Sequence, residues 1–216
     1  MNRLSIRDGI FRKLTEKGEI IVDNNYIDVI IVNAAGLSRM YYEGEYTSSS
    51  ASAPVCWSSD TRVPDPNVAD KQSARCFDCV QNVKGSAQGN ARACKFSQRI
   101  AIVFEDELQN VYQLQLPATA LFGDAKRGWQ SMQNYAKHLA KHDTQATTVV
   151  TRITFEESYV PRLRFRPMRV LKTTESSRVA ELENDPSTLQ AIALDVKPKV
   201  TVPFVETDGF VFDEFN

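Results

Sequence analysis

Four cysteines are the residues of this chain best suited to chemistry. Cys56, Cys76, Cys79 and Cys94 are the only cysteines in 216 residues, and they follow the spacing Cys-x19-Cys-x2-Cys-x14-Cys. A Cys-x2-Cys turn sets two sulfurs at the separation one tetrahedral ion requires, and two thiolates from flanking strands would complete a four-cysteine structural zinc site. Such a site leaves no open coordination position, so it would fold a loop and catalyse nothing. A cytosolic compartment disfavours a disulfide. A redox pair would need neither Cys56 nor Cys94, and "CFDC" lies in no βαβ pattern. Unrelated buried thiols stay open as the alternative. His138 and His142 are four apart, as a chelating pair on a helix would be, but no companion ligands accompany them. A dipole contact at the basic end of a helix accounts for both.

A second pattern is basic. In "PRLRFRPMR", Arg162, Arg164 and Arg166 lie two apart, so on a strand they share one face while Leu163 and Phe165 take the other. With Arg169 beyond them they form a track suited to a phosphate backbone. A solvated edge strand carrying arginine would give the same pattern. Single-stranded nucleic acid also needs aromatic platforms, worth ~1–3 kcal/mol per base. Arg39, Tyr41, Tyr42 and Tyr46 mix cation and ring in "RMYYEGEY", Trp57 follows Cys56, and Lys95, Phe96 and Arg99 follow Cys94. For any single ring, core packing is the alternative role. The candidate DNA-binding residues are therefore Arg39, Tyr41, Tyr42, Tyr46, Trp57, Lys95, Arg99, Arg162, Arg164, Phe165, Arg166 and Arg169. No phosphate-cradling glycine loop, nucleophile elbow or His/carboxylate triad is present, so an enzyme is not expected.

The elements that must position these residues are mostly strands. "GEIIVDNNYIDVIIVNAA" reads as a hairpin about Asn24-Asn25, and "RIAIVFEDELQNVYQLQLP" as two strands about an acidic turn. "TTVVTRITFEE" and "YVPRLRFRPMRVL" alternate as strands do. One main helix is expected in 123–143, with Asp124 as N-cap, and a short one from Asp185. Residues 56–94 are long and irregular, and need an organiser of their own. The expected fold is α+β and β-rich: a barrel-like or OB-like antiparallel sheet with one main helix and the zinc loop inserted. Residues 1–205 would form one nucleic-acid-binding domain, with 56–94 as its zinc-stapled insertion.

Charge divides the chain more sharply than its net −1 suggests. Residues 152–172 hold six basic side chains against Glu156 and Glu157, whereas the tail 206–216 holds four acidic residues and no basic one. That asymmetry suits an anionic partner and a tail that competes with it. Phe210, Phe212, Asp213, Glu214 and Phe215 give the tail a composition suited to docking a protein partner. No apolar run approaches the ~20 residues of a membrane span. "MNRLSIRDGIFRKL" has no apolar core for a signal peptide, so a cytoplasmic location is expected.

The stretches "YYEGEY", "CWSSDTRVPDP", "QSARCFDCVQNVKGS", "ACKFSQRIAIV" and "LQLPATALFG", in that order, resemble a group of tailed-bacteriophage proteins regarded as single-stranded-DNA-binding. The likeness covers residues 36–142. It implies that Cys56, Cys76, Cys79 and Cys94 are zinc ligands and that Tyr41, Tyr42 and Tyr46 belong to the domain's signature. One branch, the Drc-type proteins, is thought to recruit a phage RNA polymerase to melted promoters. The acidic, aromatic tail also looks like those with which single-stranded-DNA-binding proteins reach replication or transcription partners. By resemblance, then, the expected partners are single-stranded DNA and a phage RNA polymerase or replication protein in the host cytoplasm. Self-association is left open.

Overall fold

The first hairpin forms because the sequence supplies a left-handed turn where the chain must reverse. Asp8 and Gly9 both have positive φ, 54° and 72°, as a two-residue Asp-Gly hairpin loop demands. They join β1 (Asn2–Arg7) to β2 (Ile10–Thr15), and β3 (Gly18–Ile21) folds back on β2. The computed structural model describes residues 1–43, 53–156 and 162–196.

The hairpin expected about Asn24-Asn25 does not form. β3 pairs with β2, while β4 (Tyr26–Ala34) crosses to the middle of the sheet. The cause is burial on both faces. Val29 and Ile31 enter one core and Ile30 and Val32 the other, so β4 needs covered neighbours on every side. It finds them in β7 (Lys95–Phe104) and β9 (Val149–Glu156). The hairpin about the acidic turn does form: β7 runs through Asp106 into β8 (Glu107–Pro117).

With β10 (Arg162–Val170), the main sheet runs β10-β9-β4-β7-β8-β1-β2-β3. Its described pairings are antiparallel except for β1 against β8. The fold is α+β and strand-rich, and the sheet curls into an open half-barrel. Among the described residues it is not a closed, purely antiparallel barrel: β10 and β3 stand at its two ends.

Helices cover both faces, which corrects the expectation of one main helix. On the first face α1 (Ala118–Leu121) and α2 (Met132–Lys141) bury Leu121, Met132, Tyr135 and Leu139. On the second, α3 (Thr173–Leu182) and α4 (Pro186–Ile192) bury Val179, Leu182 and Ala191. α2 begins eight residues after Asp124, with Ser131 as its N-cap. Residues before it cannot be helical, because Arg127 and Gly128 both take positive φ and close a turn in which Lys126 and Trp129 exchange backbone hydrogen bonds. α4 starts where expected, with the Asp185 carboxylate accepting from Ser187 N at 2.8 Å.

The cysteine loop and the basic residues

Two strands bring the outer cysteines together. Beyond β4 the chain bends and continues along β7 as β5 (Ser38–Tyr41), whose other side pairs with β6 (Cys56–Ser58). Tyr41 faces Cys56 in that register, and Met40 faces Lys95, the residue after Cys94. Cys56, in β6, and Cys94, the residue before β7, therefore lie on opposite sides of β5. Backbone bonds carry the inner pair to them. Cys76 N donates to Arg62 O and Cys94 N to Gln81 O, each at 2.8 Å. Cys79 precedes a short 3-10 turn, Val80–Asn82, and its carbonyl accepts from Asn82 N at 2.9 Å. All four cysteines line one narrow cavity, walled also by Arg39, Tyr41, Trp57 and Ser58.

The thiols are free, and three of the four are buried, Cys94 being half-buried. Burial pushes Cys56, Cys76 and Cys94 above the ordinary thiol range, Cys94 to about 11, and neighbouring cysteines push in the same direction. Hydrogen-bond donors oppose this. The Gln72 backbone lowers Cys56 and the Arg39 guanidinium lowers Cys94, while the Ser58 hydroxyl donates to Asp60 Oδ1 at 2.9 Å. Among the described residues no three of His, Cys, Asp and Glu are grouped closely enough to hold a metal as the side chains stand. The cavity wall and the spacing of the sulfurs are separate matters: the four share one enclosure without converging on a point. His138 and His142 meet edge to face, ring centroids 4.9 Å apart, at the end of α2.

The other candidate residues do not form one surface. Arg39, Trp57, Arg99, Arg164 and Phe165 are buried. Arg39 lies 3.8 Å over the Phe96 ring and donates to Asn82 Oδ1. Arg99 donates to the Ala193 carbonyl at 3.0 Å. Phe165 stacks on Tyr135 inside the first core. On β10 the even track is broken: Arg162 and Arg166 are exposed, but Arg164 is buried against Glu156 at 2.6 Å. Arg169 is clasped by Glu105 and Glu175. Two of the four arginines are thus committed to internal ion pairs, and β10 is indeed an edge strand. Tyr41 is half-buried against the cysteine cavity, while Tyr42 and Lys95 are exposed near it. Tyr46, Phe210, Phe212, Asp213, Glu214 and Phe215 lie outside the described residues.

A broad groove between β3 and the β7–β8 turn collects Lys13, Lys17, Arg169 and Lys172, but also six carboxylates, among them Asp28, Glu105 and Glu107. That excess of negative charge disfavours a phosphate backbone there. The cysteine loop is the contrasting surface. Residues 71–95 carry Lys71, Arg75, Lys84, Arg92 and Lys95, all exposed, against Asp78 alone. Residues 56–70 lean the other way, with three aspartates against Arg62, so the loop has a basic half and an acidic half. The charge division of the loop is legible in the sequence itself.

Among the described residues no helix is long and apolar enough to cross a membrane. Compared with known protein families, curated proteins and solved structures, the chain matches none.

Proposed function

We propose that this chain binds single-stranded DNA largely without regard to sequence, through the basic half of a cysteine loop held by one structural zinc ion. The observation that carries the reading is a coincidence within one loop. Four cysteines share a cavity, and the stretch 71–95 that carries three of them also carries five exposed cations. Phosphates would release their counterions to those cations, giving affinity that falls steeply with salt.

The donor set fits zinc in kind. Cys56, Cys76, Cys79 and Cys94 would hold the ion, which supplies a fixed cross-link and no reactive position. The donors from the Gln72 backbone and the Arg39 guanidinium are of the sort that stabilise thiolate sulfur around a metal. Binding the ion would require the sulfurs to move together, because they are not grouped at ligand distance as they stand.

The resemblance to tailed-phage proteins agrees with this reading and points to a place in phage replication or transcription. A second reading is an adaptor that recruits a phage RNA polymerase or replication protein to melted DNA, favoured by the acidic tail with its three phenylalanines. Removal of residues 206–216 separates the two: an adaptor loses its partner, and a plain DNA binder keeps its DNA. Titration of single-stranded and duplex oligonucleotides at several salt concentrations tests the main reading.

A further inference from the structure

Phe77 is 88% exposed although it stands between two buried cysteines. Its backbone is nonetheless fixed on both sides. Cys76 N is tied to Arg62 O, the Asn82 side-chain amide donates to the Cys76 carbonyl at 2.9 Å, and Asn82 N holds the Cys79 carbonyl. A large ring on a fixed turn forgoes its burial, and nothing in the fold requires it to do so. Val80 and Val83, at 67% and 58% exposure, follow it along the chain as further exposed apolar residues. They stand at i and i+3 across a 3-10 turn, which sets them on one side of it.

The charge around this surface selects its occupant. Of the five exposed cations of residues 71–95, Arg75 pairs with Asp78 across the Phe77 turn. Lys71, Lys84, Arg92 and Lys95 form no ion pair with the described residues. An exposed aromatic in a stretch of chain rich in exposed cations suits a ligand that offers flat π surfaces and regular negative charge. Unpaired nucleotides offer both. A duplex offers only the charge, because its base faces are already stacked on one another.

Resting on the reading of this chain as a DNA binder, we infer that Phe77 is a base-stacking platform, with Val80 and Val83 as its apolar margin. It gives the loop its preference for single strands, while the lysines and Arg92 supply affinity shared with any polyanion. Among the described residues, the aromatics expected from sequence to contact DNA lack this combination of exposure and a held backbone. Trp57 is buried, Tyr41 is half-buried, and Tyr42 directs its hydroxyl to Met40 Sδ at 3.2 Å.

The test uses the full chain with labelled oligo-dT and a labelled duplex, comparing wild type with Phe77→Ala and Phe77→Trp. Phe77→Ala is expected to weaken oligo-dT binding about 5- to 150-fold, the range of one lost stacking contact. The slope of affinity against salt stays the same, because no charge is removed. Duplex affinity and thermal stability are unchanged. Phe77→Trp keeps its affinity, and its added indole emission is quenched by oligo-dT. If wild type binds oligo-dT but Phe77→Ala binds equally well, or the Phe77→Trp emission does not respond, the platform is wrong while the DNA-binding reading stands. If wild type does not bind oligo-dT even at low salt, the DNA-binding reading falls and takes the platform with it.

Discussion

The Arg39 guanidinium donates to Asn82 Oδ1 at 2.6 Å, joining a buried strand of the sheet to the turn that follows Cys79. Asn82 in turn donates to the Cys76 carbonyl. The cysteine loop is thus held to β5 by a relay of hydrogen bonds as well as by strand pairing. Arg39→Ala removes a charged hydrogen bond and a cation–π contact with Phe96, and is expected to cost about 3 kcal/mol in urea unfolding. Arg39→Lys should recover less than half of that, since an ammonium cannot reproduce the flat guanidinium contact. A loss below about 0.5 kcal/mol, the level of an ordinary surface substitution, would show that the relay is not structural.

On β10, Arg164 and Arg166 differ by two positions and in almost everything else. Arg164→Ala breaks a buried ion pair and leaves Glu156 beside Lys126 alone, at 3.5 Å. The expected cost is about 3 kcal/mol of stability. Arg166→Ala, at an exposed site, should change stability by less than about 0.5 kcal/mol. Equal effects in thermal unfolding would contradict the burial difference.

Acid should release the end of β10 from α3. The Arg169 side chain, together with the Lys172 backbone N–H, holds the Glu175 carboxyl well below its ordinary 4.5, at about 2. The folded state therefore keeps this carboxylate charged at pH values where the unfolded chain protonates it. Its contribution is complete above about pH 4.5 and disappears as pH falls toward about 2. Glu175→Gln should be less stable than wild type at neutral pH, with the difference shrinking through that window. A difference independent of pH would assign the effect to packing.

For the zinc proposal, Cys79→Ser should lose metal and loop order together. Chelation of the intact protein should expose residues 56–94 to protease while the main sheet survives, because its two cores are built without the loop. A stable, metal-free wild-type chain with a protected loop would end the zinc proposal.

Where sequence reading succeeded, a local signal had one physical outcome. The acidic turn at Asp106 and the Asp185 cap each answer to backbone hydrogen bonding within a few residues. Where it failed, the decisive fact lay elsewhere in the fold. Alternation in "RLRFR" separates two faces correctly, but it cannot say that Glu156 waits on the face of Arg164. The apolar runs on either side of Asn24-Asn25 invite a hairpin, yet β4 is drawn inward by burial on both faces. Asp8-Gly9 carries a local hairpin signal of the same kind. α3 has a weak signature because "TTESSRVAEL" has few apolar residues, and only Val179 and Leu182 are needed to seat it. In the cysteine loop, the flanking strands supposed for Cys56 and Cys94 are present as β6, which carries Cys56, and β7, which begins one residue after Cys94. The exposure of Phe77 depends on the loop's three-dimensional course and has no counterpart in spacing.

The central claim is most directly tested by fluorescence anisotropy of labelled single-stranded and duplex oligonucleotides, titrated with the full chain between ~50 and ~200 mM salt, with zinc content determined on the same sample. The account predicts tighter binding of the single strand, affinity that falls steeply across that range, and one zinc ion per chain. Equal or absent binding of single strand and duplex at the lowest salt would contradict it.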